Sequence, residues 1–535
     1  MGGLAALPMD AVMRDAAFPA LALNRLAFGP RPGDAEALRR DGFERWLDEQ
    51  LSPHDDHDDD GARAALDACR LRIKYDAGES WAAVEETRPL ASLGKPIDAL
   101  WPLSDGKRPF AGPERQFPRL EVTAATLIRA VHSRWQLRAV MADFWHNHFN
   151  VFAGEQAVSA SLPAYDRDVI RRHALGNFRE FLEAVGQSAA MLVYLNNRSS
   201  RAGSANENYA RELFELHTLG RDAYLNALYN KWREVPGATA GRPSGYIDQD
   251  VYEAARAFTG WTVEDGAGLG GEQRLPATGR FAYVEGWHDQ YQKRVLAEEF
   301  DPFQAPLADG RRVLDLAADH PATALHLCRK LCVRLLADDP PERLVRAVAA
   351  VWTENRRKPD QIARVVRFIA LSPEFAEIRA AKVKRPLELV ASFARAAAID
   401  LTATNGLIGE LDGSGQKLFG CPAPTGHPDR MEAWLGAAAM RRRWSLILGL
   451  AENRWGSGAL DNAVLFSGPV TAREAVEGWQ RALHGAEPEE GTSRAILAGM
   501  ALDPAARLVP GSRDGDAKLR RIAAYAAMAP RFNER

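Results

Sequence analysis

Apolar residues recur every three to four positions along most of this chain, the spacing that gathers side chains on one face of an α-helix. The predicted helices cover about residues 121–149, 161–196, 206–219 and 248–259, and helices return after residue 311 and over 430–530. Between residues 262 and 300 the pattern changes to alternating, aromatic-rich stretches separated by turn residues, which is typical of β-hairpins. The sequence therefore predicts a mainly α fold: a large multi-helix array or bundle with a small β-hairpin insertion around residues 262–300.

The 535 residues are enough for about two to four domains or for one large unit. Composition divides the chain into an N-terminal helical segment (1–60), an irregular charged and Pro/Gly-rich excursion (61–120), a helical core that carries the motif segments (121–400), and a C-terminal loop and helical segment (401–535). The aspartate-rich stretch HDDHDDDGARAA, from His54 to Ala65, is interpreted as a solvated loop because it lacks strongly apolar residues that could fix it in place.

The composition is that of an ordinary soluble globular protein, with 46% hydrophobic and 26% charged residues. A formal net charge of −3 provides no electrostatic basis for binding nucleic acid, so no nucleic-acid partner is expected. No apolar run reaches the about 18 residues of a transmembrane helix, and the N-terminal stretch lacks the positive region of a signal peptide. A cytoplasmic location is therefore expected, and export stays open if a leader has been removed.

The stretch DFWHNHFNV, from Asp143 to Val151, combines two histidines with a carboxylate and two amides. On a helix, His146 and Asn150 share a face, with Asp143 one turn earlier, whereas His148 points about 200° away from His146. A zinc-binding pair of helical histidines needs a spacing of four, so one histidine beside a carboxylate fits better than a two-histidine metal site. The alternative is a helix end at which His and Asn side chains satisfy backbone carbonyls.

A second polar segment, NENYARELFELHTLG, reads as a short helix between Asn206 and Gly220. Asn208, Arg211, Glu212 and Glu215 form a polar stripe along it, and Glu207 stands four residues before Arg211, the favourable order for an ion pair. Two carboxylates one turn apart suit proton transfer or metal coordination. A solvated, salt-bridged helix face explains the same charges.

A third segment, GWHDQYQKRVL, places His288, Asp289 and Lys293 at the end of the β-like region. A loop that follows a rigid strand often presents its side chains to a cleft. The alternative is a turn-forming aspartate with an incidental histidine beside it. In a fourth segment, ADHPATALHLCRKL, the residues around Pro321 are interpreted as the start of a helix, and His326 as a core residue.

The order of these motifs resembles one known family, the DUF1800 proteins, which are large bacterial proteins. The resemblance spans about residues 20–460 and is carried by FWHNHFNV, NENYARELFELHTLG, DQDVYEAARAFTGWT, WHDQYQKRVL, DHPATALHLCRKL and GQKLFGCPAPTGHP. The chain departs from the family where HDPGPKTVLG is replaced by HDQYQKRVLA, and where a PNVAGWP-like stretch is replaced by PAPTGHP, which puts His427 in place of a tryptophan.

The resemblance implies a single large, mainly helical unit without a settled biochemical function. Many members are exported or sit beside DUF1501 genes, which implies a DUF1501-type product as a protein partner. The oligomeric state is not indicated by the sequence.

Two functions are compatible with these segments. In the first, residues 143–150, 206–217 and 287–293 form a hydrolase-type His/carboxylate site. The predicted catalytic residues are His146, His148, Glu212, Glu215, His288 and Asp289, and the predicted substrate-binding residues are Asn147, Asn150, Asn208, Arg211 and Lys293. A divalent metal stays open as a cofactor. In the second, the protein is a non-enzymatic scaffold or assembly factor, and the same polar residues form a buried structural network.

Overall fold

The computed structural model of the protein describes residues 15–53, 58–379 and 382–535. The prediction of a mainly α fold is confirmed, because 56% of the chain is helical and strands occur only as short antiparallel pairs in these ranges. None of the helices in the described ranges is both long and apolar enough to cross a membrane. Residues 1–14, on which the prediction about a signal peptide rests, lie outside the described part of the chain.

The helices and strands are numbered here in chain order. The α-helices are α1 (Phe18–Leu26), α2 (Asp34–Asp41), α3 (Phe43–Leu51), α4 (Asp60–Ala68), α5 (Ile97–Leu100), α6 (Gly112–His132), α7 (Gln136–His148), α8 (Gln156–Ala164), α9 (Phe178–Gln187), α10 (Ala189–Tyr194), α11 (Glu207–Glu212), α12 (Asp248–Ala257), α13 (Ala308–Asp319), α14 (Pro321–Leu335), α15 (Glu342–Glu354), α16 (Gln361–Ala370), α17 (Pro373–Glu377), α18 (Pro386–Ala396), α19 (Asn405–Gly413), α20 (Ala437–Ala451), α21 (Ala472–His484), α22 (Glu490–Gly499), α23 (Arg513–Met528) and α24 (Pro530–Asn533). The strands are β1 (Arg70–Tyr75), β2 (Val84–Pro89), β3 (Trp261–Asp265), β4 (Gly268–Gly270), β5 (Gln273–Arg274), β6 (Ala277–Tyr283), β7 (Lys293–Val295), β8 (Glu298–Phe300), β9 (Val470–Thr471) and β10 (Arg507–Leu508).

The predicted β-hairpin insertion is confirmed as three antiparallel pairs between residues 261 and 300. Strand β3 pairs with β6, with Trp261 opposite Tyr283, and the small β4–β5 hairpin lies between them in the chain. Strands β7 and β8 form the third pair. A further hairpin, β1–β2, lies inside the stretch predicted to be irregular, and its first strand alternates buried Leu71 and Ile73 with exposed residues.

One continuous hydrophobic cluster runs through the molecule and contains residues from all four segments inferred from composition. Every residue of α18 is buried, and α18 packs against α6 and α20 near the middle of this cluster. The last residue, Arg535, returns to the first helix, where its guanidinium donates to the backbone oxygens of Asn24 at 3.0 Å and Arg25 at 2.7 Å. The N-terminal and C-terminal segments therefore share one core.

The long helix predicted from residue 121 to 149 is two helices, which corrects the prediction. Helix α6 starts earlier, at Gly112, and ends at His132, and α7 starts at Gln136. The break falls at Ser133, whose hydroxyl donates to Asp59 at 2.6 Å and accepts the Trp135 amide at 3.0 Å. The apolar periodicity of the sequence continues across this break and does not reveal it. The residue that bonds to Ser133, Asp59, is distant in sequence, so no local pattern indicates the contact.

The prediction of a solvated loop from His54 to Ala65 is wrong for its second half, while residues 54–57 lie outside the described part of the chain. Helix α4 begins at Asp60, and the side chain of Asp59 caps it by accepting from the Ala62 amide. Asp58 is mostly buried and receives hydrogen bonds from Arg129 and Arg171. Distant arginines therefore hold a stretch in which Ala62 is the one fully buried apolar residue among those described.

A buried network of ion pairs crosses the centre of the fold. Its members are Asp143, Arg334, Arg385, Glu388 and Arg535, all less than 10% exposed. Arg334 lies 2.9 Å from Asp143 and 2.5 Å from Glu388, while Arg385 also contacts Asp143 and Arg535 also contacts Glu388. Burial alone would raise the pKa of Glu388, but Arg334, Arg535 and Arg385 together hold it well below its usual range. The network joins α7, α14 and α18 to the C-terminal residue.

Replacing Glu388 by glutamine tests the contribution of this network. The substitution keeps the shape of the side chain but leaves buried arginines without their charge partner, so we expect a loss of about 3–5 kcal/mol in the free energy of unfolding. Urea denaturation followed by circular dichroism measures this loss. The matched control is Glu85→Gln, because Glu85 pairs with Arg72 and Lys74 on the exposed face of the β1–β2 hairpin, and its unfolding midpoint should equal that of the wild type.

The pH dependence of the same comparison follows from the lowered pKa of Glu388. A carboxylate with a depressed folded-state pKa contributes its full stability above its unfolded value, about 4.5, and loses it as the pH falls towards the folded value. The stability difference between the wild type and Glu388→Gln should therefore be constant at neutral pH and shrink below about pH 4.5. A difference that stays constant down to the acid transition would contradict an ionised Glu388.

Candidate functional site

The polar residues of α7 serve two different cavities, as the 200° separation of its histidines predicts. His146, Asp143 and Asn150 line one cavity, which is called the His146 cavity here, and it encloses about 60 Å³. Its other polar lining residues include Asp58, Arg129, Asn147, Asp166, Arg171 and Arg385. A volume of about 15 Å³ holds one water molecule, so this cavity has room for about four waters or for one small reacting group.

The imidazole of His146 is held by a buried carboxylate. Its Nε2 lies 2.9 Å from Oδ1 of Asp166, and its ring packs edge-on against Phe419, with a centroid distance of 4.8 Å. An ionised carboxylate can only accept a hydrogen bond, so Nε2 carries the proton in the neutral ring and Nδ1 carries the lone pair. His146 therefore has the tautomer of a general base.

Arginines keep Asp166 in its ionised form. Arg129 reaches Oδ2 of Asp166 at 3.1 Å, and the same guanidinium contacts both oxygens of Asp58 at 2.8 and 3.0 Å. Burial raises the pKa of Asp166, but hydrogen bonding to His146 and the charges of Arg129 and Arg171 lower it far more, to well below its usual range. Burial lowers the pKa of Arg171 to about 10, which leaves it charged at neutral pH.

Two asparagines attach a loop that forms one wall of the His146 cavity. Asn147 donates to the backbone oxygen of His427 at 2.8 Å and accepts the His427 amide at 2.7 Å, so the two residues are joined reciprocally. Asn150 donates to the carbonyls of Cys421 and Ala423 at 3.1 and 2.8 Å. Gly426 is required here, because it has a φ of +70° and a Cβ would lie 2.4 Å from the Asn147 carbonyl.

His148 lies on the other side of α7, away from His146. Its Nε2 is 3.2 Å from the backbone oxygen of His217, and its Nδ1 is 2.9 Å from the ammonium of Lys330. His148 and Lys330 line a second cavity of about 250 Å³, which is called the Lys330 cavity here. The two predicted catalytic histidines of α7 therefore do not share a site.

The segment 206–217 does not reach the His146 cavity. Asn206 caps α11 through the Asn208 amide, and Glu207 pairs with Arg211 at 3.1 Å, both as the sequence predicts. The chain continues after α11 as a π-helical turn, Leu213–His217. The segment contributes His217 to the surroundings of His148, a contact that sequence reasoning missed.

The two predicted carboxylates of this segment also stay outside both cavities. Glu215 pairs with Arg221 at 3.0 Å. Burial and then the charge of Glu215 raise the pKa of Glu212 above its usual value. Neither side chain lines the His146 cavity or the Lys330 cavity, so the structure does not bring them to the histidines of α7.

The segment 287–293 forms a separate polar cluster around Asp309. His288 lies 3.2 Å from Asp309, and the buried ammonium of Lys293 lies 2.7 Å from it. Asp289 is 2.8 Å from the guanidinium of Arg256. His288, Asp289 and Lys293 line neither of the two cavities. They stabilise the start of the β7–β8 hairpin.

Sequence reasoning missed most of the charged groups that surround α7. The missed residues are Asp58, Arg129, Asp166, Arg171, Lys330, Arg334, Arg385 and Glu388. A usable signal was present for Arg129 and Lys330, because each interrupts the apolar stretch of a predicted helix, in ATLIRAVH and HLCRKLCVRLL. Charges in such positions are rarely buried unless they are paired.

The polar side chains around α7 are not arranged as a metal site in the described part of the chain. Within residues 15–53, 58–379 and 382–535, no group of three or more His, Cys, Asp or Glu side chains is arranged to hold a metal ion. The histidines of α7 instead bond to Asp166, to a backbone oxygen and to Lys330.

The sequence model of a family described as "protein of unknown function (DUF1800)" matches residues 21–533, which is nearly the whole chain. No curated protein and no solved structure matches the chain.

The reciprocal pair between Asn147 and His427 can be tested by hydrogen exchange. Asn147→Ala removes two hydrogen bonds of about 1 kcal/mol each, so the His427 amide should exchange roughly 10- to 100-fold faster. The matched control is Asn405→Ala, because Asn405 makes the same reciprocal pair with the backbone of Arg72 at a distant site. Unchanged exchange at His427 in Asn147→Ala would show that the loop is held by other contacts.

Proposed function

This chain belongs to the DUF1800 family, and we propose that it is a hydrolase-type enzyme in which His146 is the general base. The observation that supports the proposal is the pair of His146 and Asp166, 2.9 Å apart on the wall of a cavity. A histidine whose Nε2 proton is fixed by an ionised carboxylate presents Nδ1 as a base, which is the arrangement that acid–base catalysis uses. Glu212, Glu215, His288 and Asp289 have no part in this proposal, because they line neither cavity.

The proposed reaction is the hydrolysis of an ester or amide by a water molecule. Nδ1 of His146 accepts a proton from the water as its oxygen attacks the carbonyl carbon, and His146 becomes a cation. Asp166 stabilises this cation, and Arg129 holds Asp166 in place through its other oxygen. His146 then returns the proton to the leaving oxygen or nitrogen, so the base is restored. The room for about four waters fits the reacting end of a substrate.

Two substitutions test the base and its orienting partner. His146→Gln removes the base, and Asp166→Asn keeps the size of the partner but no longer fixes the tautomer, so kcat should fall about 100- to 10,000-fold in each with little change in KM. The measurement is hydrolysis of a panel of chromogenic esters and amides by the purified protein, with circular dichroism to confirm the fold. The control is Glu215→Gln, whose kcat should equal that of the wild type. A loss of activity in Glu215→Gln together with full activity in His146→Gln would transfer the role of base to Glu215.

A scaffold or assembly function is the second candidate, and one observation favours it. Asn147, Asn150, His288 and Lys293 all make hydrogen bonds inside the protein, which is the behaviour of structural residues. The partner in this case is a DUF1501-type protein, as the family resemblance implies. Co-purification of the two proteins after co-expression, with no hydrolysis of any substrate in the panel, would favour the scaffold over the enzyme.

A further inference from the structure

The Lys330 cavity lies between α7 and α14, on the opposite face of α7 from His146. It encloses about 250 Å³, and its lining includes Phe144, Asn147, His148, His326, Lys330 and Asp429. Lys330 projects from α14, and its ammonium lies 2.9 Å from Nδ1 of His148. A lysine that borders an enclosed space and bonds to a histidine is unusual, because buried lysines normally pair with carboxylates.

The tautomer of His148 is fixed by the backbone. Its Nε2 lies 3.2 Å from the carbonyl oxygen of His217, which can only accept, so Nε2 carries the proton and Nδ1 is the acceptor that faces Lys330. Burial and then the charge of Lys330 lower the pKa of His217 to about 3 and of His326 to about 4, and the same two causes hold the pKa of His148 well below its usual value. Three neutral imidazoles therefore surround the amine.

The surroundings of Lys330 lower the pKa of its amine. Burial lowers the pKa of Lys330 to about 8, and the negative charge of Asp429 opposes this only in part. Asp429 itself is engaged by Lys382 at 3.7 Å and by Arg334 at 3.8 Å. A fraction of the amine is therefore unprotonated near neutral pH, within hydrogen-bonding distance of Nδ1 of His148.

We propose that Lys330 is the nucleophile of a second site, at which it forms a Schiff base with a small 2-oxo carboxylate. The ammonium loses one proton to solvent, and the amine nitrogen then attacks the carbonyl carbon. A second proton moves from the nitrogen through Nδ1 of His148 to the former carbonyl oxygen, a proton from solvent adds to that oxygen, and water leaves. The products are an iminium ion on Lys330, one water and neutral His148, so atoms and charge balance without a further reactant.

The arginines that line the Lys330 cavity indicate that the substrate carries a carboxylate. The lining carries Arg329, Arg334, Arg385 and Arg430 against one acid, Asp429. Arg334 and Arg385 pair with Glu388 and Asp143 in the buried network. Arg329 and Arg430 pair instead with Glu342 at 2.6 Å and Asp339 at 2.8 Å, and these side chains are 45–84% exposed. Exposed ion pairs contribute little, so a substrate carboxylate can replace one of these partners.

The buried Lys384 lacks this combination. Burial also lowers the pKa of Lys384, to about 7, but its ammonium donates to the backbone oxygen of Phe532 at 2.7 Å and lies over the Phe532 ring. Lys384 lines neither the His146 cavity nor the Lys330 cavity. It is therefore the matched internal control: a lysine with a lowered pKa whose ammonium donates to a backbone oxygen and which lines neither cavity.

The test is reductive trapping on the intact protein. The wild type is incubated with glyoxylate and sodium cyanoborohydride, and peptide mapping measures the rate of modification at Lys330, at Lys384 and at the exposed Lys107. We expect Lys330 to react at least about 10-fold faster than both, because a positioned base contributes at least that factor, and its rate should rise through about pH 8. Modification of Lys330 at or below the rate of Lys107 overturns the proposal, and this comparison needs no variant.

Variants test the roles of Lys330 and His148, and a second aldehyde tests the selectivity for a carboxylate. Lys330→Arg should abolish the fast modification, and His148→Gln should slow it at least about 10-fold while Lys330 is still present. An unchanged rate in His148→Gln overturns the role of His148. Acetaldehyde should react at Lys330 more slowly than glyoxylate, and equal rates overturn the carboxylate selectivity. His146→Gln should leave the trapping unchanged, so failure of this proposal is distinguishable from failure of the hydrolase proposal.

Discussion

The fold depends on the pairing of charges that it buries around Glu388. Removing an ion from water costs several kcal/mol, and the attraction of a partner offsets this cost only when the geometry is good and other hydrogen bonds are satisfied. Asp143, Arg334, Arg385, Glu388 and Arg535 offset this cost together, since each carboxylate is shared by at least two guanidinium groups. The network also specifies which elements meet, because α7, α14, α18 and the C-terminal residue must all be in place for every charge to be paired.

Helix α7 separates the two candidate sites. Its aromatic residues Trp145 and Phe149 pack into the core, where their rings contact Phe181. Its polar residues point in two directions, with His146 towards Asp166 and His148 towards Lys330. In each case the backbone or a carboxylate fixes the proton on Nε2 and leaves Nδ1 as the basic nitrogen. One helical stretch thus supplies two histidines of the same tautomer to two cavities with different neighbours.

The predictions from sequence succeed where a pattern is local. The apolar period identifies the helices, and alternation with turn residues identifies the insertion between residues 261 and 300. The caps at Asn206 and at His320, which accepts the Ala322 amide, follow from residue type and position. The predictions fail where the structure depends on a contact between residues that are distant in sequence. Asp59 bonds to Ser133 at the break between α6 and α7, and Arg129 bonds to Asp58 in the stretch predicted to be a loop. Periodicity carries no information about such partners.

The sequence by itself determined the helical class, the family resemblance and the separation of His146 from His148, because each depends on spacing along the chain. Only the tertiary structure decided which groups surround those histidines. Glu212 and Glu215, close to each other in the same helical stretch, line neither cavity beside α7, whereas Asp166, Lys330 and Arg385 do so from elsewhere in the chain. The physical reason is that a buried charge must find its partner across the packed core, and the order of residues does not specify which distant side chain will be there.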